Sequence, residues 1–264
     1  MKSKILGLLA VGLLAGPMAA SAVGTLIYIN SSSGALYSYD ATAAYAETLV
    51  NASTGAFSIS SGPLGNTLYI QGGSNILSTY NLVSNVQTAV GGSVPGNALG
   101  EGRDGFLYAG SGQGLYRVAP ATGVSALIGN GAFGYAGDIA VDPTNLSLMY
   151  GAVSTLSGVA LVTVNKNTGA QSLVGNFGVG GDIFGLGFSL DGTLYATGPV
   201  GGGGSIYTIN KSTGLASFIR NLSYQPFDMA TQPFDVLEPV PEPGTLALLG
   251  LGLAGLGLSR RRKA

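Results

Sequence analysis

Asn97, Asp138, Asp182 and Asp228 follow one another at steps of 41, 44 and 46 residues. Side-chain oxygens at so even a spacing, gathered on one axis by a repeating fold, could hold a hard cation such as calcium, which takes about six to eight oxygen ligands. Aspartates at strand entrances also have a plainer use, accepting hydrogen bonds from backbone N–H groups in turns. Both readings need the same thing from the chain: a repeat that brings four distant residues to one end of a channel.

Other chemistries lack their parts. The chain has no histidine and no cysteine, which removes the usual general base, the commonest metal ligand and the thiolate nucleophile. Serine is plentiful, yet none sits in a G-x-S-x-G elbow, and there is no histidine to activate one. Glu47 and Glu101 have no motif around them and read as surface carboxylates rather than a glycosidase pair. "GLGLAG" (250–255) matches the dinucleotide fingerprint by letter. No strand precedes it and leucines surround it, so a small-residue stripe in an apolar helix is the better reading. The expectation is a protein that is not an enzyme. Its rival is a propeller hydrolase of the lactonase or esterase type, which would need the aspartate ring filled by metal.

Charge narrows the partners. Between residues 23 and 239 only Arg103, Arg117, Lys166, Lys211 and Arg220 are basic, against eleven acidic residues, a net −6. Nucleic acid needs clustered cations to displace its counterions and is excluded as a partner. Gly, Ser, Thr and Asn must make the surface, which suits hydroxyl-rich ligands.

The elements that would position the four oxygens come from a repeat of about forty residues. "LYRVAPATGVSALIGN" (115–130), "LVTVNKNTGAQSLVGN" (161–176) and "IYTINKSTGLASFIRN" (206–221) each read as strand, Thr-Gly turn and strand. Upstream of each hairpin a strand ends near an apolar residue followed by tyrosine. That mark recurs at Tyr28, Tyr69, Tyr108, Tyr150 and Tyr195, and the last hairpin strand keeps step at Val50, Val90, Ile128, Val174 and Ile219. A fourth strand leads in "AFSIS" (56–60), "NALGEG" (97–102), "DIAVDP" (138–143) and "DIFGLGFSLDG" (182–192). The first copy has no room for one, and "PFDMATQ" (226–232) is left over at the other end.

Four strands per copy, one missing in front and one spare behind, predict an all-β, five-bladed β-propeller closed by a C-terminal strand, with Phe227 to Thr231 as the inner strand of blade one. The competing arrangement is an open sandwich of short strands. In the propeller, Asn97, Asp138, Asp182 and Asp228 ring one mouth of the channel, on the same face as the glycine-rich loops 110–114 and 198–204. The tyrosines pack between blades.

The two ends stand outside that fold. Residues 1–22 have Lys2 and Lys4, an apolar stretch from Ile5 to Ala15 and Ala20-Ser21-Ala22, the layout of a signal peptide cut before Val23. The propeller is expected over 23–239. From Gly244 to Ser259 no residue is charged; as a transmembrane helix this run would span roughly 24 Å, short of the roughly 30 Å hydrocarbon core. Arg260, Arg261, Arg262 and Lys263 follow and favour the cytoplasmic side.

Val240-Pro241-Glu242-Pro243, an apolar run and an arginine-rich end make residues 240–264 resemble the PEP-CTERM sorting signal of exported bacterial proteins. The resemblance implies an exosortase-type membrane enzyme as partner, reading Pro241-Glu242-Pro243 and removing the helix. It implies passage through the inner membrane, then a cell-surface or extracellular home; together with the low-charge, hydroxyl-rich loop surface this gives the expectation of a binding or structural module of the extracellular matrix, with exopolysaccharide as companion. The prolines would hold the peptide extended at the membrane surface, where a protease can reach it.

Overall fold

The computed structural model describes residues 25–232 except 63–64, 97 and 201–202. The signal peptide (1–22), the sorting residues Val240, Pro241, Glu242, Pro243, Arg260, Arg261 and Arg262, the run 244–259 and Asn97 lie outside the described residues. Among the described residues no helix is long and apolar enough to cross a membrane.

Among the described residues twenty strands form five four-stranded antiparallel sheets. In chain order β1 (Leu26–Ser31), β2 (Leu36–Asp40) and β3 (Ala46–Asn51) belong to blade one. Blade two is β4 (Ala56–Ser61), β5 (Thr67–Gly72), β6 (Leu77–Asn81) and β7 (Val86–Gly91). Blade three is β8 (Ala98–Glu101), β9 (Leu107–Ser111), β10 (Gly114–Val118) and β11 (Ser125–Asn130). Blade four is β12 (Gly134–Val141), β13 (Met149–Thr155), β14 (Gly158–Val164) and β15 (Gln171–Asn176). Blade five is β16 (Gly185–Phe188), β17 (Leu194–Val200), β18 (Gly203–Ile209) and β19 (Ala216–Leu222). The last strand, β20 (Pro226–Thr231), returns to blade one and pairs with β1, Tyr28 opposite Ala230 and Asn30 opposite Asp228. The leftover segment therefore closes the ring.

A sheet buries neither face alone, and each blade hides its faces against its two neighbours. The core accordingly divides into five apolar seams, one per blade interface. Tyr28 and Leu36 of blade one meet Ile59, Leu68 and Tyr80 of blade two. Ile27, Ile29 and Met229 of blade one meet Tyr195 and Ile206 of blade five, so the closing seam is as apolar as the others. Polar groups reinforce it. The Tyr39 hydroxyl donates to Glu47 at 2.6 Å and lies 2.8 Å from that of Tyr224, whose ring stacks on Tyr37, while Arg220 donates to the Tyr45 carbonyl. The five repeat tyrosines are all buried.

The Thr-Gly turns have a second use besides their positive φ. Gly169 (φ +73°) rests on the outer strand of blade three, where a Cβ would come within 2.7 Å of the Gly129 carbonyl oxygen. Gly123 meets Gly91, and Gly214 meets Gly175, in the same way. Glycine on glycine lets each hairpin turn dock against the preceding blade. Lysines strap the same level: Lys166 pairs with Asp104 at 3.3 Å across blades four and three, and Lys211 with Asp142 at 2.6 Å across blades five and four.

Candidate functional site

The inner strand of every blade is an edge strand facing the axis, and its outward N–H groups have no strand to pair with. Buried amides must find partners. At one level of the axis two carboxylates supply them all. The Asp228 side chain on β20 accepts from Ile59 N on β4 at 2.9 Å and from its neighbour Met229 N at 2.8 Å, and the Ser58 hydroxyl also donates to it. Asp138 on β12 accepts from Leu99 N on β8 at 2.9 Å, from Leu186 N on β16 at 3.3 Å, and from Ile139 N. Each blade thus contributes one amide, and two aspartates bind the five inner strands together.

Both carboxyls are fully buried and hydrogen-bond to one another. Burial pushes both pKa values up, and the neighbouring Asp228 charge raises Asp138 further. Both shifts favour the protonated carboxyl, and the two groups titrate as a pair.

Of the sequence-derived ring, the structure brings Asp138 and Asp228 together and leaves Asp182 exposed, three residues ahead of β16. Pairing explains this. Ala140 lies opposite Tyr150, whereas Gly187 lies opposite Tyr195, so the counterpart of Asp138 in blade five is Gly185. In blades two and three the same place is held by Ser58 and Ala98. Among the described residues no three acidic side chains gather as a metal-binding group. The oxygens of the two axial aspartates already accept from backbone N–H donors of all five inner strands.

Glu101, expected on the surface, is 8% exposed on the inner strand of blade three, where the Ser61 hydroxyl donates to it at 3.2 Å. Glu47 lies on the outer strand of blade one, so the two form no acid pair. Glu101 and Arg103 border a cavity of about 30 Å³ on the far side of the aspartates, room for about one water.

The near side is apolar. Phe57, Phe184 and Phe227, from blades two, five and one, border a hollow of about 130 Å³ with Gln225 at its edge. Phe57 is 42% exposed, and its ring lies 5.5 Å from that of Phe227. Each phenylalanine immediately precedes an axial position: Ser58, Gly185 or Asp228. Sequence reasoning passed over them, although aligning the inner strands by their tyrosine partners brings all three into one column.

Comparison with known proteins bears on the two parts of the chain separately. Residues 239–263 match the PEP-CTERM protein-sorting motif. No curated protein matches the chain. The ring is similar to a chain in the crystal structure of a nidogen/laminin complex, at a TM-score of 0.54 and 8% identity, covering 79% of this chain and 98% of that one. It is also similar to a structural genomics protein of unknown function from Bacteroides thetaiotaomicron, at a TM-score of 0.51 and 13% identity, covering 79% and 62%. At such identities the likeness establishes the fold alone. The chain thus carries a PEP-CTERM sorting motif after a five-bladed β-propeller, and the motif implies export and targeting to an exosortase.

Proposed function

We propose that the exported propeller is a non-enzymatic binding module of the cell surface or extracellular matrix, engaging hydroxyl-rich polymer, exopolysaccharide foremost, through the phenylalanine-bordered mouth of its axis. The observation that carries this reading is the mouth itself: three aromatic rings from three blades converge there and remain accessible. Aromatic rings left open around a concavity are the usual platform for a ligand with an apolar face and polar edges, which describes a sugar ring. Serine and asparagine loops such as Ser32-Ser33 and Ser74-Asn75 share that face and supply hydroxyls and amides without charge.

A metal-dependent hydrolase is the second reading. It needs ligand oxygens free to turn inward, whereas those of Asp138 and Asp228 already hold the backbone together. The sorting motif adds the itinerary. An exosortase reads Pro241-Glu242-Pro243 at the membrane, the following segment is removed, and the ring is delivered outside.

A glycan array probed with the full chain and with Phe57→Ala tests the binding reading. Neutral glycans should be retained by the wild type, and retention should fall about tenfold in the variant, the loss of one aromatic contact. Equal binding by both proteins, or none by either, would refute it.

A further inference from the structure

Blade three departs from the repeat at one place. Opposite each buried tyrosine, the third strand carries Ser38, Thr79, Thr163 or Thr208 in blades one, two, four and five and Arg117 in blade three. The outer strand next to these carries Thr48, Thr88, Ser172 or Ser217, but Ala126 beside Arg117. Four blades therefore set hydroxyl beside hydroxyl, and blade three sets a guanidinium beside a methyl group.

A groove of about 270 Å³ opens there, between blades three and four, bordered by Arg117, Leu127, Lys166 and Asn167 with Tyr108 beneath. The two cations differ in their commitments. Lys166 donates to the Gly102 carbonyl at 2.7 Å and pairs with Asp104, which also accepts from the Tyr108 hydroxyl. Arg117 is exposed and stacks over Phe106, 4.6 Å from the ring centroid; among the described residues its guanidinium makes no hydrogen bond or ion pair. Stacking fixes its direction and leaves its forked donors open.

We propose that this groove binds a carboxylate-bearing sugar, with Arg117 taking the carboxylate. The planar guanidinium fork matches a carboxylate with two parallel hydrogen bonds. One uncommitted cation suits one carboxylate on a compact ring, whereas an acidic peptide or a nucleic acid requires a run of cations. The other walls fit the rest of a sugar: Leu127, 54% exposed, offers an apolar surface, and Asn167 offers a carboxamide to hydroxyls. The site deepens the glycan-binding reading but uses different residues, so the two fail separately.

The test is calorimetric titration of the full chain with trigalacturonate and with its carboxyl-reduced neutral analogue. Arg117→Thr restores the residue that three other blades carry, half-buried, at the same register position, so it should fold as the wild type does, checked by an unchanged thermal midpoint. The wild type should bind trigalacturonate at least tenfold more tightly than the neutral analogue, Arg117→Thr should lose that preference, and Arg117→Lys should keep part of it. Phe57→Ala should leave trigalacturonate binding intact, whatever it does to neutral glycans. No preference in the wild type, a preference that survives Arg117→Thr, or tighter binding of a glutamate oligopeptide than of trigalacturonate would overturn the proposal.

Discussion

Replacing Asp138 by asparagine tests whether protonation of the axial carboxyls stabilises the ring. Unfolded, Asp138 and Asp228 ionise near 3.8; folded, burial raises both, Asp228 to about 8. A carboxyl whose folded pKa is raised keeps a proton that the unfolded chain releases. Its stabilising effect is therefore complete below about pH 4 and is lost as pH climbs toward the folded value near 8. Counting a single retained proton at about 1.4 kcal/mol per pH unit, the ring should lose roughly 3 kcal/mol between pH 5.5 and 7.5. For a domain of about 200 residues that lowers the melting temperature by roughly 5–10 °C. Asp40, Asp142 and Asp191 have lowered pKa values and titrate below this window, so they leave the slope alone. In Asp138→Asn the carboxamide can still donate to Asp228 and accept from Leu99 but no longer titrates, so the share of the slope that Asp138 contributes disappears while burial keeps Asp228 raised, and the slope should become shallower. Circular-dichroism melts of both proteins at half-unit pH steps decide it. A wild type whose melting temperature holds or rises from pH 5.5 to 7.5, or a variant that keeps the wild-type slope, refutes the reasoning.

Two further outcomes are expected. Gly169→Ala forces a Cβ onto a left-handed residue and against the Gly129 carbonyl, and should destabilise the ring by about 1–3 kcal/mol; urea denaturation showing no change would mean the turn does not dock there. Intact-mass measurement of protein recovered outside producing cells should lack Arg260 to Ala264, and a mass that includes them would rule out processing at the sorting motif.

Strand identity was legible because propeller blades repeat what their packing demands: a buried tyrosine in all five and, in blades three to five, a Thr-Gly turn with a glycine on the preceding blade to receive it. The closing strand was legible too, since Phe227 to Thr231 had no other place in a five-fold repeat. Alignment across blades was harder. "DI" occurs at 138–139 and at 182–183, but the distance from the inner strand to its tyrosine partner differs between blades, and only pairing shows that Gly185 stands where Asp138 does. Glu101 looked like a surface residue because nothing local marks it; its burial follows from the inner strand on which it lies. The role of the aspartates could be named in general terms, as acceptors for backbone amides, but not their number. That two residues serve five strands depends on how close the strands come at the axis, a distance set by the small residues between them.

The strand that seals the circle is also the last to be made, and only residues 232–238 separate it from the sorting motif. Fully extended, those seven residues reach about 25 Å. A chain made from its N-terminus keeps the edge of β1 open until β20 has been made. Closure and sorting are thereby set side by side along the chain: an exosortase acting at the motif, as the motif implies, would meet a ring that has only just shut.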